Sequence, residues 1–278
     1  MMTELISLRE TVDKHGLMAK KALGQNFLLD QNITDKIIRS SLESRGLNDF
    51  SGEDVFEIGP GPGGLTRAVL KTNPHSLTVI EMDERCIEIM RELQSFYGND
   101  ILQIVNGDAL KFDFGCKTEC PKSIVSNLPY HISVPLLVEF LHKMRQFSSL
   151  TLMFQKEVAE RITAEPNNKN YGRLSVISQL VCKVKLLFHL NPNCFVPAPK
   201  IWSSVLLFTP QEKMPTAEEL IKLEKITEAA FGQRRKMIRQ SLKKIPNLEK
   251  ACEVAGVSLT DRAENITPEQ YLCLVQNI

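Results

Sequence analysis

Short apolar runs that alternate with helical patterns constrain the fold of this chain most. The runs occupy residues 54–58, 77–81, 101–105, 123–126 and 150–154. Helical patterns are expected to begin at Gly63, Asp83, Ser133 and Gln155. An earlier helix is expected after the cap residue Asp30, and a capping box at residues 267–270 is expected to open the last helix. Because successive strands joined through helices run parallel, we predict an α/β fold with a parallel sheet covered by helices on both faces. Two later runs, 181–190 and 204–209, are predicted to close this sheet as an antiparallel pair.

A glycine-rich loop follows the first run directly. Residues 57–66 read Glu-Ile-Gly-Pro-Gly-Pro-Gly-Gly-Leu-Thr, and Gly59, Gly61 and Gly64 match the pattern G-x-G-x-x-G. Glu81 ends the second run, 22 residues beyond Gly59. This spacing alone is compatible with a dinucleotide site in which the acid binds a ribose diol.

Two features of this region argue against a bound pyrophosphate. Pro60 and Pro62 remove two backbone N–H donors from the loop that would hold it. A second acid, Asp108, follows the third run, where it can accept from the amino group of a cofactor adenine, although a turn residue is the alternative. Glu57 is expected to order the loop or to face the charged end of the cofactor. The glycine loop, Glu81, Asp108 and the Asn-Leu-Pro-Tyr sequence at residues 127–130, in this order, favour S-adenosylmethionine, which carries no phosphate.

The tetrapeptide Asn-Leu-Pro-Tyr at residues 127–130 ends the fourth run. An aromatic amine is a poor nucleophile because its lone pair is delocalised into the ring. The side-chain oxygen of Asn127 and the carbonyl of Leu128, held out by Pro129, could accept both amine hydrogens and localise that pair, while Tyr130 stacks on the base. The alternative is a strand-ending turn, since Asn and Pro are common in turns. The glycine-rich loop in the same chain makes a ligand site the favoured interpretation over a simple turn.

The chain resembles, over nearly its whole length, the small-subunit ribosomal RNA adenine N6,N6-dimethyltransferases, the family whose loss gives kasugamycin resistance in bacteria. The resemblance rests on Leu-Gly-Gln-Asn-Phe-Leu at 23–28, the loop 57–66, the tetrapeptide 127–130, Gln-Lys-Glu-Val at 155–158 with Tyr-Gly-Arg-Leu-Ser at 171–175, Phe-Val-Pro-Ala-Pro-Lys at 195–200 and Phe-Gly-Gln-Arg-Arg-Lys at 231–236. His131 departs from it, because the family has Asn after the tyrosine.

This resemblance implies a Rossmann-like class I S-adenosylmethionine-dependent methyltransferase sheet with a smaller all-α C-terminal domain. It implies dimethylation of N6 of two adjacent adenines in a hairpin loop near the 3′ end of small-subunit (16S-type) ribosomal RNA, with a role in subunit biogenesis. Transfer would be a direct displacement at the sulfonium methyl, without a strong general base, because the product ammonium is very acidic.

The expected site combines residues from the motifs and from the resemblance. The cofactor is expected to contact Asn26, Leu28, Gly59, Glu81, Asp108 and Asn127. The expected catalytic residues are Asn127, Leu128, Pro129, Tyr130 and Phe195. The prolines after Phe195 predict a rigid, extended loop that holds its ring opposite Tyr130, with a slot one base thick between them; a phenylalanine in the core is equally compatible with the sequence.

After Pro210 the pattern is helical only, so we predict a catalytic domain over residues 1–210, including an N-terminal segment that covers the cofactor, and an RNA-binding domain over 211–278. Residues 233–244 contain six basic side chains and no acid. They are Arg234, Arg235, Lys236, Arg239, Lys243 and Lys244. This basic stretch, residues 233–244, is predicted to contact RNA phosphates, with a solvated helix face as the alternative.

Composition restricts the remaining possibilities. The net charge of +1 gives no overall signal for nucleic acid, so RNA binding must depend on local clusters. Seven scattered cysteines without a C-x-x-C pair indicate reduced thiols, and the five histidines lack metal-ligand spacing, so no metal is expected. No apolar run approaches the length of a membrane span, and acids near the N-terminus fit no targeting signal, so a cytoplasmic protein without membrane contact is expected. A monomer is also expected.

Two rival functions stay open at this point. The first is a large-subunit ribosomal RNA adenine methyltransferase of the macrolide-resistance type, with the same chemistry on a different RNA. The second is a ribosome-assembly or transcription-factor-like binding protein that uses a methyltransferase scaffold and has lost catalysis. The glycine loop and the Gln-Arg-Arg-Lys sequence favour the small-subunit group over the first. The intact set of site residues argues against the second.

Overall fold

The computed structural model describes residues 5–20, 24–115 and 119–278; Leu23 and Cys116 lie outside them. By contacts, the chain forms two compact units. The first comprises Met1–Glu139, Arg145–Lys156 and Leu186–Leu207, and the second comprises Phe140–Met144, Glu157–Lys185 and Phe208–Ile278. The predicted division at residue 210 assigns 140–144 and 157–185 to the catalytic domain, whereas these segments group with the C-terminal helices. The functional division itself stays a prediction.

Nine strands and eleven α-helices occur among the described residues. The strands are β1 (Phe27–Leu28), β2 (Asp54–Ile58), β3 (Ser76–Glu81), β4 (Leu102–Asn106), β5 (Lys122–Ser126), β6 (Ser149–Gln155), β7 (Cys182–Leu190), β8 (Phe195–Val196) and β9 (Ser203–Pro210). The helices are α1 (Leu8–Lys14), α2 (Gln31–Arg45), α3 (Gly64–Leu70), α4 (Glu84–Tyr97), α5 (Tyr130–His142), α6 (Lys156–Ile162), α7 (Arg173–Val181), α8 (Ala217–Gly232), α9 (Ile238–Ser241), α10 (Leu248–Ala255) and α11 (Pro268–Gln276).

The main sheet has seven strands in the order β4-β3-β2-β5-β6-β9-β7. Strand β2 pairs in parallel with β3 and β5, β3 pairs in parallel with β4, and β5 pairs in parallel with β6. Every residue of β2 and β5 is buried, as expected for central strands that helices cover on both faces. The predicted α/β class with a parallel sheet is confirmed, and the two late runs do lie beside each other at one edge.

Helix α2 begins where the sequence predicts, after Asp30. The carboxylate of Asp30 accepts a hydrogen bond of 2.9 Å from the backbone N–H of Asn32, which satisfies one donor of the first turn. The helix ends at Gly46, whose positive φ of 71° suits a residue without a side chain. The predicted capping box at Thr267 is also present, since Thr267 and Gln270 exchange side-chain to backbone hydrogen bonds.

Helix α5 begins at Tyr130, three residues before the predicted start at Ser133. The hydroxyl of Ser133 donates to the carbonyl of Tyr130 at 2.9 Å, so it bonds back into the first turn instead of capping it. Proline is well tolerated immediately before a helix, and the helix therefore starts directly after Pro129. Tyr130 is thus held on a helix and not on a loop.

The second unit is built mainly from helices packed around aromatic side chains. The ring of Phe231 lies 5.9 Å from that of Tyr171 and 5.9 Å from that of Tyr271. Both tyrosine hydroxyls donate to backbone carbonyls, Tyr171 to Ile266 at 2.9 Å and Tyr271 to Ala263 at 2.8 Å. These buried polar groups are satisfied, so the cluster can be both apolar and uniquely oriented.

Candidate active site

A cavity of about 280 Å³ lies at the carboxyl ends of four neighbouring strands, β2 to β5. Its wall comes from residues at the ends of these strands or directly after them, namely 57–62, 64–65, 80–82, 107–110 and 127–132, and from residues 24–28. This edge of a parallel sheet is where open α/β folds bind their ligands. The wall contains all the residues predicted to contact a cofactor, namely Asn26, Leu28, Gly59, Glu81, Asp108 and Asn127. It also contains Leu128, Pro129 and Tyr130.

The glycines of the loop allow the N-terminal segment to approach closely. A Cβ atom at Gly64 would lie 2.5 Å from the backbone carbonyl oxygen of Leu28, which is too close for any side chain. A Cβ at Gly61 would lie 3.1 Å from the ring of Phe27, and Gly61 also has a positive φ of 55°. Two of the three motif glycines therefore accommodate residues 27 and 28 of this chain.

Glu81 accepts hydrogen bonds from one backbone donor in the glycine loop and from two backbone donors that directly follow it in the chain. Its carboxylate accepts from the N–H of Gly61 at 3.3 Å, of Met82 at 2.8 Å and of Asp83 at 2.9 Å. Burial raises the pKa of Glu81, and these hydrogen bonds counteract part of that shift. The carboxylate thus orders the loop while it faces the cavity.

Glu57 is the most deeply buried acid in the cavity wall. Its Oε2 atom has no hydrogen-bond partner among the described residues. Burial raises the pKa of Glu57 to about 8, the nearby charge of Glu81 adds to this shift, and the hydroxyl and backbone N–H of Thr66 offset only part of it. A buried acceptor of this kind is suited to a ligand group that donates hydrogen bonds or carries positive charge.

Asp108 and two exposed apolar side chains form another part of the wall. One oxygen of Asp108 accepts from the backbone N–H of Leu110 at 3.0 Å, which is the turn geometry that the sequence allowed as the alternative. Met82 is 62% exposed and Leu110 is 45% exposed, yet both line the cavity. Neither side chain was predicted from the sequence, although each follows a predicted site acid by one or two positions. Their exposed side chains give this part of the wall an apolar surface that a flat ring could contact.

The tetrapeptide is connected to two other parts of the first unit. The side-chain amide of Asn127 donates to the backbone carbonyl of Asn26 at 3.1 Å. The hydroxyls of Tyr130 and Ser203 are 2.7 Å apart and share a hydrogen bond. Burial raises the pKa of Tyr130, and the bond to Ser203 partly offsets the shift. Tyr130 is therefore a neutral, oriented phenol near pH 7.

Phe195 does not line the cavity, contrary to the expected slot opposite Tyr130. It is 2% exposed and packs into the hydrophobic core of the first unit. Strand β8 pairs antiparallel with β1, so that Phe195 lies opposite Leu28 and Val196 opposite Phe27. The pairing of β8 with β1 explains why Phe195 is buried, because Phe195 and its partner Leu28 belong to the same hydrophobic core. Of the two interpretations that the sequence allowed, the structure has the core phenylalanine.

The basic stretch, residues 233–244, is not one continuous helix. Only Ile238–Ser241 is helical within it, and the residues before it form turns. Arg234 is paired with Glu264 at 2.8 Å and donates to the carbonyl of Asn168 at 3.1 Å, so it has a structural role within the second unit. The other five basic side chains are exposed. They are Arg235, Lys236, Arg239, Lys243 and Lys244.

One group of possible metal ligands occurs in the described ranges. Atoms of Asp54, His75 and Cys120 lie within 4.8 Å of one another at the amino ends of β2, β3 and β5, away from the cavity. The Asp54 carboxylate is 2.8 Å from the His75 ring and accepts from Ser76 at 2.6 Å. That the reaction needs no metal stays a prediction. In the part of the chain that the structure covers, no helix is long and apolar enough to cross a membrane.

Comparison with known proteins gives consistent matches over the chain. The family described as "Ribosomal RNA adenine dimethylase" matches residues 16–278. The "Ribosomal RNA small subunit methyltransferase A" of Rhodospirillum rubrum is 42% identical over 271 residues, which cover 98% of this chain and 92% of that relative. The protein of the same name from Zymomonas mobilis is 45% identical over 270 residues, with 96% and 94% covered.

Solved structures agree with these relatives. A dimethyladenosine transferase from Plasmodium falciparum is similar with a TM-score of 0.73 and 26% identity, covering 88% of this chain and 94% of that one. The 23S rRNA methyltransferase ErmE is similar in fold, with a TM-score of 0.68 and 24% identity over 91% of this chain and 99% of the other. From the match over residues 16–278 and the relatives at 42–45% identity, the chain belongs to the ribosomal RNA adenine dimethylase family.

Proposed function

We propose that this protein transfers two methyl groups from S-adenosylmethionine to N6 of each of two adjacent adenines in a hairpin loop near the 3′ end of small-subunit ribosomal RNA, as a step of subunit biogenesis. One observation supports this function above others. Asn127 and Leu128 are consecutive residues of the cavity wall, and no donor among the described residues reaches the amide oxygen of Asn127 or the carbonyl of Leu128. Two adjacent free acceptors match the two hydrogens of an adenine amine.

The residues of the cavity fit S-adenosylmethionine as the cofactor. The unpartnered oxygen of buried Glu57 suits the ammonium of its methionine part, and Glu81 and Asp108 suit its ribose hydroxyls and adenine amine. Exposed Met82 and Leu110 offer apolar contact to the adenine ring. When bound, this cofactor supplies an activated methyl group on a sulfonium. Pro60 and Pro62 lack the backbone N–H groups that would bind a phosphate. S-adenosylmethionine carries no phosphate, so its binding does not need these donors.

The protein's own residues would act by alignment and polarisation. The oxygens of Asn127 and Leu128 accept from the target amine and localise its lone pair toward the methyl group. The ring of Tyr130, fixed by its bond to Ser203, offers a face for the base. Loss of the last proton needs no dedicated base, because the methylated ammonium is acidic enough to give it to water.

The target adenine must leave its stack before its amine can reach these acceptors. Extrusion costs least for an unpaired base, and a hairpin loop provides such bases. The exposed cations of the basic stretch would contribute phosphate contacts that hold the RNA without reading its sequence. We further propose that the protein acts in the cytoplasm as a monomer that needs no metal.

The test is a methylation assay with purified protein, S-adenosylmethionine and separated ribosomal RNAs or subunit precursors. Primer extension should stop at two adjacent adenines of the small-subunit hairpin, and mass spectrometry should find two methyl groups on each. Methylation confined to large-subunit RNA would support the macrolide-resistance type instead. RNA binding without any methyl transfer would support the non-catalytic rival.

A further inference from the structure

The hydrogen bond between Asn127 and Asn26 fixes the direction of the catalytic amide. A backbone carbonyl can only accept, so the group of Asn127 that faces the Asn26 carbonyl at 3.1 Å must be the NH₂ group. The amide oxygen therefore occupies the other branch of the side chain. If the amide were rotated by half a turn, it would present two hydrogens to an amine that also carries two. Such an orientation could not polarise the amine.

The carbonyl of Asn26 is itself held in place by a fixed segment. Residues 24–28, the N-terminal segment of the cavity wall, are anchored at one end by the pairing of β1 with β8 and by the close contact of Leu28 with Gly64. At the other end, Gly24 has a positive φ of 63°, and a Cβ there would lie 2.9 Å from Nδ1 of His131. The side chain of Asn26 also donates to the carbonyl of Gly24 at 3.3 Å.

We propose that residues 24–28 form a positioning element for catalysis, in which the backbone carbonyl of Asn26 holds the Asn127 amide so that its oxygen faces the target amine. This inference rests on the proposed adenine N6 methylation. It assigns to the N-terminal segment a role in orienting the catalytic group, in addition to covering the cofactor. The orientation of Asn127 is then determined by a residue 101 positions earlier in the chain.

The variant Asn127→Asp distinguishes two roles of this side chain, which are to accept hydrogen bonds from the target amine and to be oriented by the Asn26 carbonyl. An ionised aspartate can accept hydrogen bonds from the adenine amine, but it cannot donate to the Asn26 carbonyl and is repelled by it. A protonated aspartic acid can donate from its hydroxyl and present its carbonyl oxygen, as the amide does. The single-turnover rate of Asn127→Asp with saturating cofactor should therefore fall as pH rises, by up to about tenfold per pH unit above the pKa of the new carboxyl.

The parent enzyme and Asn127→Ala are the matched controls, because neither has this titrating group. The expected result is that the rate of Asn127→Asp relative to the parent decreases between about pH 5.5 and about pH 8.5, while the relative rate of Asn127→Ala stays constant. An Asn127→Asp enzyme whose rate follows the parental profile would overturn the positioning role. Thermal unfolding of all three proteins over the same pH range verifies that each variant is folded at the pH values compared.

A second measurement does not depend on turnover. The side-chain amide signal of Asn127 in a ¹⁵N spectrum is identified by its absence from Asn127→Asp. It should shift in Gly24→Ala, and the same substitution should slow methylation by about tenfold or more, since a misplaced catalytic group costs up to about a hundredfold. Gly16→Ala is the control, because Gly16 also has a positive φ, of 53°, but a Cβ atom added there would meet no other atom within 4 Å. An unchanged amide signal in Gly24→Ala would contradict the inference.

The two proposals fail in different ways. If the parent enzyme methylates no adenine in small-subunit RNA, the proposed function is wrong. If the parent is active and the pH profile or the amide signal behaves as in the controls, the function stands and only the positioning role is wrong.

Discussion

The backbone N–H of Gly61 donates a hydrogen bond of 3.3 Å to the carboxylate of Glu81, so an acid expected to contact the cofactor also orders the glycine loop. The same carboxylate accepts from two further backbone donors at the start of the next segment. Removing it should therefore affect both the contact to the ligand and the shape of the loop that surrounds the ligand.

Glu81→Ala should weaken binding of S-adenosylmethionine by about 1.5–3 kcal/mol, the usual effect of losing a charged hydrogen-bond acceptor. Glu81→Gln should cost less, because its amide oxygen can still accept from Gly61. Calorimetric titration measures both, and Glu88→Gln, on the exposed side of α4, provides the control. Unchanged affinity in a folded Glu81→Ala protein would remove Glu81 from the cofactor site.

Glu57 should make the stability of the ligand-free protein depend on pH. Burial raises the pKa of Glu57 to about 8 in the folded state, whereas a glutamate in an unfolded chain has a pKa of about 4.3. Between these pH values the folded state keeps a proton that the unfolded state has lost. The free energy of unfolding should therefore decrease as pH rises from about 5 to about 8, by at most about 1.4 kcal/mol per pH unit from this group.

Urea unfolding of the parent and of Glu57→Gln at several pH values checks this dependence. Because the pKa of Glu81 is also raised, some decrease should remain in the variant. The informative quantity is the difference between the free energies of unfolding of the two proteins. As pH rises, Glu57→Gln should become more stable relative to the parent. If the two stability profiles are parallel, Glu57 is already ionised in the folded protein.

The strands and several caps could be predicted from the sequence because local patterns determine them. Strand β2 has the predicted bounds, since Val55, Phe56 and Ile58 give it an apolar pattern that ends at the glycine-rich turn. Asp30 and Thr267 are recognisable as caps because their partners lie within three residues. The cavity residues could be grouped because parallel strands all end at the same edge of the sheet.

The features that the sequence did not reveal depend on contacts between distant segments. The burial of Phe195 follows from pairing with Leu28, and no local pattern indicates that pairing. Glu264, which neutralises Arg234, lies outside the basic stretch, so the stretch alone overstated the number of free cations. The bond between Tyr130 and Ser203 likewise joins two elements far apart in the chain.

The exposed cations of the basic stretch should contribute to RNA binding, and Arg234 should contribute less. Arg235→Gln with Lys236→Gln should reduce the slope of log affinity against log salt by up to about 1.4–1.8, at roughly 0.7–0.9 per phosphate contact. Filter binding over a range of salt concentrations measures this slope. The double variant Lys225→Gln with Lys250→Gln removes the same charge elsewhere, and an equal slope change in both would mean that only net charge matters.

Tyr130→Phe should retain most of the methylation rate, because the ring and not the hydroxyl is proposed to contact the base. The loss of the bond to Ser203 should lower the free energy of unfolding by about 0.5–1.5 kcal/mol. Tyr130→Ala should be slow, since it removes the stacking surface. Single-turnover rates and urea unfolding separate the two effects, and a Tyr130→Phe enzyme as slow as Tyr130→Ala would assign the role to the hydroxyl.

The most direct test of the proposed mechanism is the single-turnover methylation rate of Asn127→Ala on small-subunit RNA. Loss of this preorganised polar contact should lower the rate by about 10²–10³-fold. RNA affinity should hardly change, because phosphate contacts supply most of it. Asn99→Ala, at an exposed asparagine, is the control and should be as fast as the parent. An Asn127→Ala enzyme that methylates at the parental rate would contradict polarisation of the amine by Asn127.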